Sequence, residues 1–388
     1  MTRGIQNLKT PALLLALSLA LIFPSLSTAR KFLGTGSWIY FLGVPVVVFS
    51  LFHWFESRSL GHLATKKAIL IFFLTVVLLA VLFAAVYPIV DSGFYNGGSD
   101  RDDDLNIAAG RMIRLQYPYG ERTYLDNPIN SFPGSILLSV PFWLLGNVAY
   151  QNLFWLAILF FVYYRVFGSG RAALFAWMAP LTCLEVLREF LTGGSLLTNS
   201  VQVVIFITLF YRSAVRPEKP LILVLFFAAL LGIGLSSRIN FLLILPVLAS
   251  HLIQKRGFRP AALLLSVTIA SYLLVTLPFI CYDPVGFSPF ENINRFSIVD
   301  AVFPKLSIIL PALSLFCTLA AAFVPLWRRG FVGLLYGCAF VQLGPVALLV
   351  LTPIFFRHPP LVNASAYGLL FLFFLVPALC HEIFRPVS

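Results

Sequence analysis

Four carboxylates fall within five positions, Asp100, Asp102, Asp103 and Asp104, directly after the flexible Gly97-Gly98-Ser99. Crowded carboxylates hold one another's protons, and a carboxyl titrating near neutrality is suited to take a proton from a hydroxyl group. From Asp104 to about Leu115 the pattern predicts a short amphipathic helix. Leu105, Ala108, Ala109 and Met112 lie on one face, with Asn106, Arg111 and Arg114 turned elsewhere. The acids then stand at a helix N-terminus, where capping and the helix dipole already favour negative charge. That structural role accounts for one Asp more readily than for four. Asp102, Asp103 and Asp104 are therefore the catalytic candidates, with Asp100, Arg111 and Arg114 beside them as substrate-binding candidates. A divalent cation, magnesium or manganese, would suit such hard oxygen ligands, although nothing in the pattern requires one.

A second group, Glu185, Arg188 and Glu189, sits at i, i+3 and i+4 near the end of an apolar run, so the three share a helix face. Ionisable residues in such runs are functional by default, and a local ion pair is the plain alternative. Gly193-Gly194-Ser195 and Asn199 follow and predict a tight turn. Arg238, in Leu235-Ser236-Ser237-Arg238-Ile239, falls between two short apolar runs. Its planar fork suits a phosphate, and a snorkelling interfacial arginine is the bland reading. Arg357 and His358, before Pro359-Pro360, are weaker candidates of the same kind.

The elements that must hold these groups are membrane spans. Of 388 residues, 60% are hydrophobic and 11% charged, more apolar matter than one globular core can use. Backbone polar groups in lipid must be satisfied internally, so the runs predict an all-α polytopic transmembrane bundle. Twelve spans are expected, near 11–28, 37–55, 68–90, 149–167, 172–191, 196–212, 220–236, 239–254, 260–280, 305–326, 331–352 and 363–382. Residues 1–29 resemble a signal peptide, with Arg3 and Lys9 before an apolar run ending in Ser27-Thr28-Ala29, and are read as an uncleaved first span. Residues 133–147 are apolar but short and interrupted by Pro133 and Pro141. Keeping them at the surface puts most of the 27 basic residues on the cytoplasmic side, whereas a crossing there would move that majority outside. The chain reads as a single membrane domain over 1–388. A first large outer loop at 91–148 carries two juxtamembrane helices, and a second outer loop spans 281–304. The net charge of +12 comes from short basic clusters between apolar runs, which fits topology and lipid head groups rather than nucleic acid. The 5 cysteines and 5 histidines are scattered without metal-ligand or disulfide spacing.

The loop resembles the first extracytoplasmic loop of the GT-C superfamily, membrane glycosyltransferases that use polyprenyl- or dolichyl-phosphate sugars. The matching residues are Asp103-Asp104, then Ile107-Ala108-Ala109-Gly110-Arg111 through Tyr117-Pro118-Tyr119-Gly120, then Phe132-Pro133-Gly134 leading into Pro141-Phe142-Trp143-Leu144-Leu145-Gly146. The resemblance is to the mannosyl- and arabinosyltransferase-like branches and covers about 50 residues well. It implies an enzyme that moves a sugar from a polyprenyl-phosphate donor to an extracytoplasmic hydroxyl of a glycan, lipid or protein, with an Asp as general base. Donor phosphate would lie against Arg238 with Arg111 or Arg188, in the plasma (inner) membrane of a bacterium, surrounded by membrane lipids. The sequence departs from the family in its Asp-Asp pair, in two spans ahead of the one leading to the loop, and in lacking a large C-terminal soluble domain. A transporter or flippase would instead call for charged or Gly/Pro-broken spans and paired repeats. A glycan polymerase or ligase would depend on a late outer loop, and a scaffold would need no clustered acids.

Overall fold

In the computed structural model, residues 2–56, 65–92, 100–291, 299–324, 330–355 and 364–384 are described. Among them the protein is an all-helical bundle whose one β pairing is an isolated bridge, Arg122 with Pro128. Seven helices are long and apolar enough to cross a membrane, or eight if one bent pair is a single span. One of the seven is the continuous stretch Lys9–Glu56. It takes in most of α1 (Thr2–Ile22), then α2 (Leu26–Leu33) and α3 (Ser37–Glu56), and α1 packs against α3 after the turn at Gly34, whose φ is 53°.

The twelve expected spans and this smaller set differ at particular segments. The run 172–191 is broken into α8 (Gly170–Met178), a 3-10 turn through Pro180, and α9 (Leu184–Leu191), the two parts bent by 81°. The run 220–236 is α11 (Leu221–Leu235), of 15 residues. The run 239–254 opens as a 3-10 helix and becomes α12 (Leu245–Arg256). Helix α7 (Tyr150–Phe167) carries Gln151, Asn152 and Arg165, which dilute its apolar character.

Two helices form the centre. In α10 (Ser195–Ala214) nearly every residue is buried, and α16 (Leu369–Ile383) is buried along most of its length. Helix α16 is apolar nearly all round and can be enclosed on that account, whereas α10 is enclosed although it carries buried Thr198, Asn199, Gln202 and Thr208. By contrast α4 (Thr65–Asp91) and α13 (Phe258–Tyr282) leave most of their apolar surface exposed, including Leu74, Val77, Leu78 and Val81 on α4. Such a belt belongs against hydrocarbon. Helices α14 (Leu306–Phe323) and α15 (Phe331–Phe355) complete the bundle beside α12 and α16. Close approach depends on small residues, as in other membrane bundles. A side chain at Gly234 of α11 would meet the ring of Phe206 on α10, and one at Gly232 would meet the backbone of α13 at Thr268.

Across one end of this bundle lies a second, smaller core. It holds α5 (Arg101–Ile113) and α6 (Pro133–Leu144) together through Leu105, Ala108, Ala109, Tyr119, Ile129, Phe132 and Ile136, with Phe287 from the loop after α13. The apolar face expected for the first loop helix is thus the buried one, with Met112 half-covered. The helix begins three residues earlier than expected, at Arg101. Gly110 lets α5 approach α6, since a Cβ there would press on the Trp143 ring. At its other end α6 is fastened to the bundle where the Gly134 N–H donates to Ser236 Oγ at 3.0 Å. Helix α6 is only 12 residues long and packs on α5, α11 and α13.

Candidate functional site

Helix geometry separates the carboxylates of α5. Successive helical residues are about 100° apart, so consecutive aspartates point in different directions. The Asp100 carboxylate leaves the helix and accepts from Thr123 Oγ1 at 2.7 Å and Asn127 Nδ2 at 2.8 Å. Although Asp100 occupies the N-cap position, its side chain makes no capping bond. Asp102 is buried against α4 and accepts from the Tyr87 hydroxyl at 2.6 Å, which in turn accepts from Asn147 Nδ2 at 2.9 Å. The other oxygen of Asp102 is buried without a hydrogen-bond partner. Asp104 turns to the strand-like segment before α6, accepting from the Asn130 N–H at 2.8 Å and from the Ser131 hydroxyl. Asp103 is partly exposed.

Burial pushes the carboxyl groups of Asp102 and Asp104 up to about 7, opposed by the hydrogen bonds from Tyr87 and Ser131 respectively. Asp103 is also held above the usual carboxylate range, by burial and then by the nearby Asp91 and Asp100. Among the described residues no three His, Cys, Asp or Glu side chains gather as a metal-binding group.

The second cluster lies at the bend between α9 and α10. Glu185 and Glu189 are fully buried. Arg188 bonds both, through Nη2 to Glu185 Oε1 at 2.6 Å and to Glu189 Oε1 at 2.9 Å. The Thr28 hydroxyl of α2 also donates to Glu185. Glu189 further accepts from the Leu196 N–H at 3.0 Å, at the start of α10, and forms an ion pair with Arg101 of α5. Two glycines make this possible. Gly193 has a φ of 66°, and a Cβ on Gly194 would collide with the Glu189 carboxylate. Asn152 of α7 ties the turn down by donating to the carbonyls of Glu189 and Gly194 at 3.1 and 3.3 Å. The expected turn at Gly193-Gly194-Ser195 is present, and Asn199 accepts from Ser135 of α6 at 3.0 Å.

Arg238, after α11, reaches the same place. Its Nη2 lies 3.5 Å from Ser195 Oγ, its Nε is buried with no partner, and it lies within electrostatic reach of Arg101, Glu189, Asp104 and Tyr367. The structure therefore brings together Glu185, Arg188, Glu189 and Arg238, with Asp104 within electrostatic reach of Arg238 but bonded to Asn130 and Ser131. Arg111 stands apart, donating from Nε to the Tyr117 carbonyl at 2.7 Å and from Nη1 to Glu121 at 2.6 Å, which closes the turn after α5. Arg114 is exposed at the C-terminal end of α5. Arg357 and His358 lie outside the described residues.

Three residues of the site escaped sequence reading. Arg101, alone among acids, reads as a solvated neutraliser. Tyr87 lies deep in an apolar run, and Tyr367 sits in a short 3-10 helix, Ala364–Gly368, that carries no motif. A single basic residue inside an acidic run was the available signal for Arg101. No protein-family model matches the chain, and no curated protein or solved structure matches it.

Proposed function

We propose that the protein is a glycosyltransferase that moves a sugar from a polyprenyl-phosphate donor to an acceptor hydroxyl at the end of the bundle carrying α5 and α6. The observation that carries this reading is the convergence of Arg101, Arg188 and Arg238, from three separate parts of the chain, on the buried Glu189, with Asp104 within electrostatic reach of Arg238. Three guanidinium groups face two buried carboxylates, Glu185 and Glu189, which leaves a positive surplus suited to a phosphate. Arg238 holds a buried donor with nothing to bond, and a phosphate oxygen would satisfy it.

Asp104 is the general base in this reading. It removes the proton of the acceptor hydroxyl, whose oxygen bonds to the anomeric carbon as the bond from that carbon to the phosphate oxygen breaks. The electron pair leaves with the polyprenyl phosphate, whose growing charge the arginines stabilise. A carboxyl titrating near 7 is well matched to that task. Asp102 positions α5 through Tyr87, and Asp103 lies at the rim. The donor's lipid would run along the apolar flank of a twelve-span GT-C-like bundle in the plasma (inner) membrane, with the site facing outward. Arg111, committed to Tyr117 and Glu121, holds the loop rather than the donor.

The bent α8–α9 pair favours a second reading, because a broken helix with ionisable groups at the break is a common transporter device. Membranes containing the protein and labelled polyprenyl-phosphate sugar separate the two. Transfer to an acceptor, abolished in Asp104→Asn but retained in Asp103→Asn at equal expression, is the expected result. Activity that persists in both variants and in the double variant sinks the base assignment. Movement of intact lipid-linked sugar across the bilayer without transfer would establish the transporter.

A further inference from the structure

The opposite end of the bundle holds a cavity of about 190 Å³ between α11, α12 and α13. Helix α11 has 15 residues, so its Leu221 end stands about 22 Å from the end that leads to Arg238. Lys219, from the loop before α11, and Arg256, the last residue of α12, contribute the basic part of the lining. Leu221 and Val224 of α11 and Leu263 and Leu264 of α13 form the apolar wall. We propose that this cavity binds the phosphodiester head group of an anionic phospholipid, with the acyl chains lying on the adjoining apolar flank.

Three observations support a lipid in particular. First, no carboxylate forms an ion pair with Lys219 or Arg256 among the described residues, so the cavity's positive charge has no internal partner. Arg256 is itself anchored, its Nε donating to the Ala214 carbonyl at the end of α10. Second, the wall continues onto open apolar surface, with Leu221 59% and Leu263 52% exposed at the mouth. A free phosphate would gain nothing from such a wall, whereas an acyl chain would cover it. Third, Arg216, Lys255 and Arg259, exposed and next in the chain to lining residues, outnumber the one acid so placed, Glu218, and add to a field that attracts anionic head groups. Basic pockets between membrane helices are the usual shape of such sites.

Native mass spectrometry of the whole chain, titrated separately with phosphatidylglycerol, phosphatidylcholine and inorganic phosphate, tests the assignment. Phosphatidylglycerol is expected to bind at least about 25-fold more tightly than phosphatidylcholine, since each of the two lining cations near an anionic lipid is worth about fivefold. Lys219→Gln, at an exposed position, should reduce that preference about fivefold, and Lys219→Arg should keep it. Equal binding of the two lipids, or a preference untouched by Lys219→Gln, overturns the proposal. Displacement of phosphatidylglycerol by inorganic phosphate would assign the cavity to a free anion and overturn the lipid.

Discussion

Arg101 and Glu189 are 88 residues apart in the chain, yet they form the ion pair that joins the loop helix to the broken span. Glu189 is fully buried, and Arg188 and the Leu196 N–H complete its shell. Breaking a buried pair by removing one partner leaves the other charge uncompensated, which typically costs about 3–5 kcal/mol. Glu189→Gln should therefore lower the melting temperature in detergent markedly. The double variant Arg101→Gln/Glu189→Gln should be more stable than the sum of its parts predicts. Additive effects would mean that the pair does not couple the two layers.

Gly194→Ala should damage the same junction by a different route. The added methyl collides with the Glu189 carboxylate and forces the α9–α10 turn to shift. Loss of folded protein by size-exclusion chromatography is the expected result for Gly194→Ala. Gly257→Ala, where the backbone φ is 80° but nothing crowds the new carbon, should cost only local strain of about 1–3 kcal/mol.

Asp102 gives a pH dependence whose sign is fixed. Its carboxyl titrates at about 7 in the folded protein against 3.8 ordinarily, so the folded state keeps a proton that the unfolded chain has released. The stability linked to this group is whole below about 3.8 and is lost as pH rises through 7. The melting temperature should thus fall more steeply between pH 4.5 and 8 in the wild type than in Asp102→Asn. Parallel curves would show that the buried carboxyl does not hold its proton.

For transfer activity, Arg238→Lys is expected to reduce turnover at low donor concentration by about 10–100-fold, the worth of one or two charged hydrogen bonds. An ammonium cannot reproduce the planar fork. Arg114→Ala, at an exposed position away from the cluster, should leave transfer near the wild-type level. The reverse order would relocate the phosphate to the outer edge of α5.

Topology is open to thiol labelling. Among the described residues Cys281 is the exposed cysteine and is first replaced by serine. A single cysteine at Glu121 and one at Glu218 should then react from opposite sides of sealed vesicles. Labelling of both from one side would break the bundle orientation described here.

The sequence alone determined that this is a membrane helical bundle, because apolar runs without water have no other way to satisfy their backbone. It also determined the amphipathic loop helix and the glycine turn at 193–194, since helical periodicity and a positive φ are local properties. It gathered Glu185, Arg188 and Glu189 on one face for the same reason. Only the tertiary structure decided which charges meet. Asp102, Asp103 and Asp104 look like one acidic patch in sequence, but a helix turns each to a different neighbour, Tyr87, solvent and Ser131. Arg101 and Arg238 join Glu189 across 88 and 49 residues, through packing of α5, α9 and the segment after α11 that no local pattern records. Arg111, equally basic in sequence, is drawn away by the nearby Tyr117 carbonyl and Glu121. How the apolar runs divide into helices was decided by the tertiary structure as well, as at the bend near Pro180 and in the 15-residue α11.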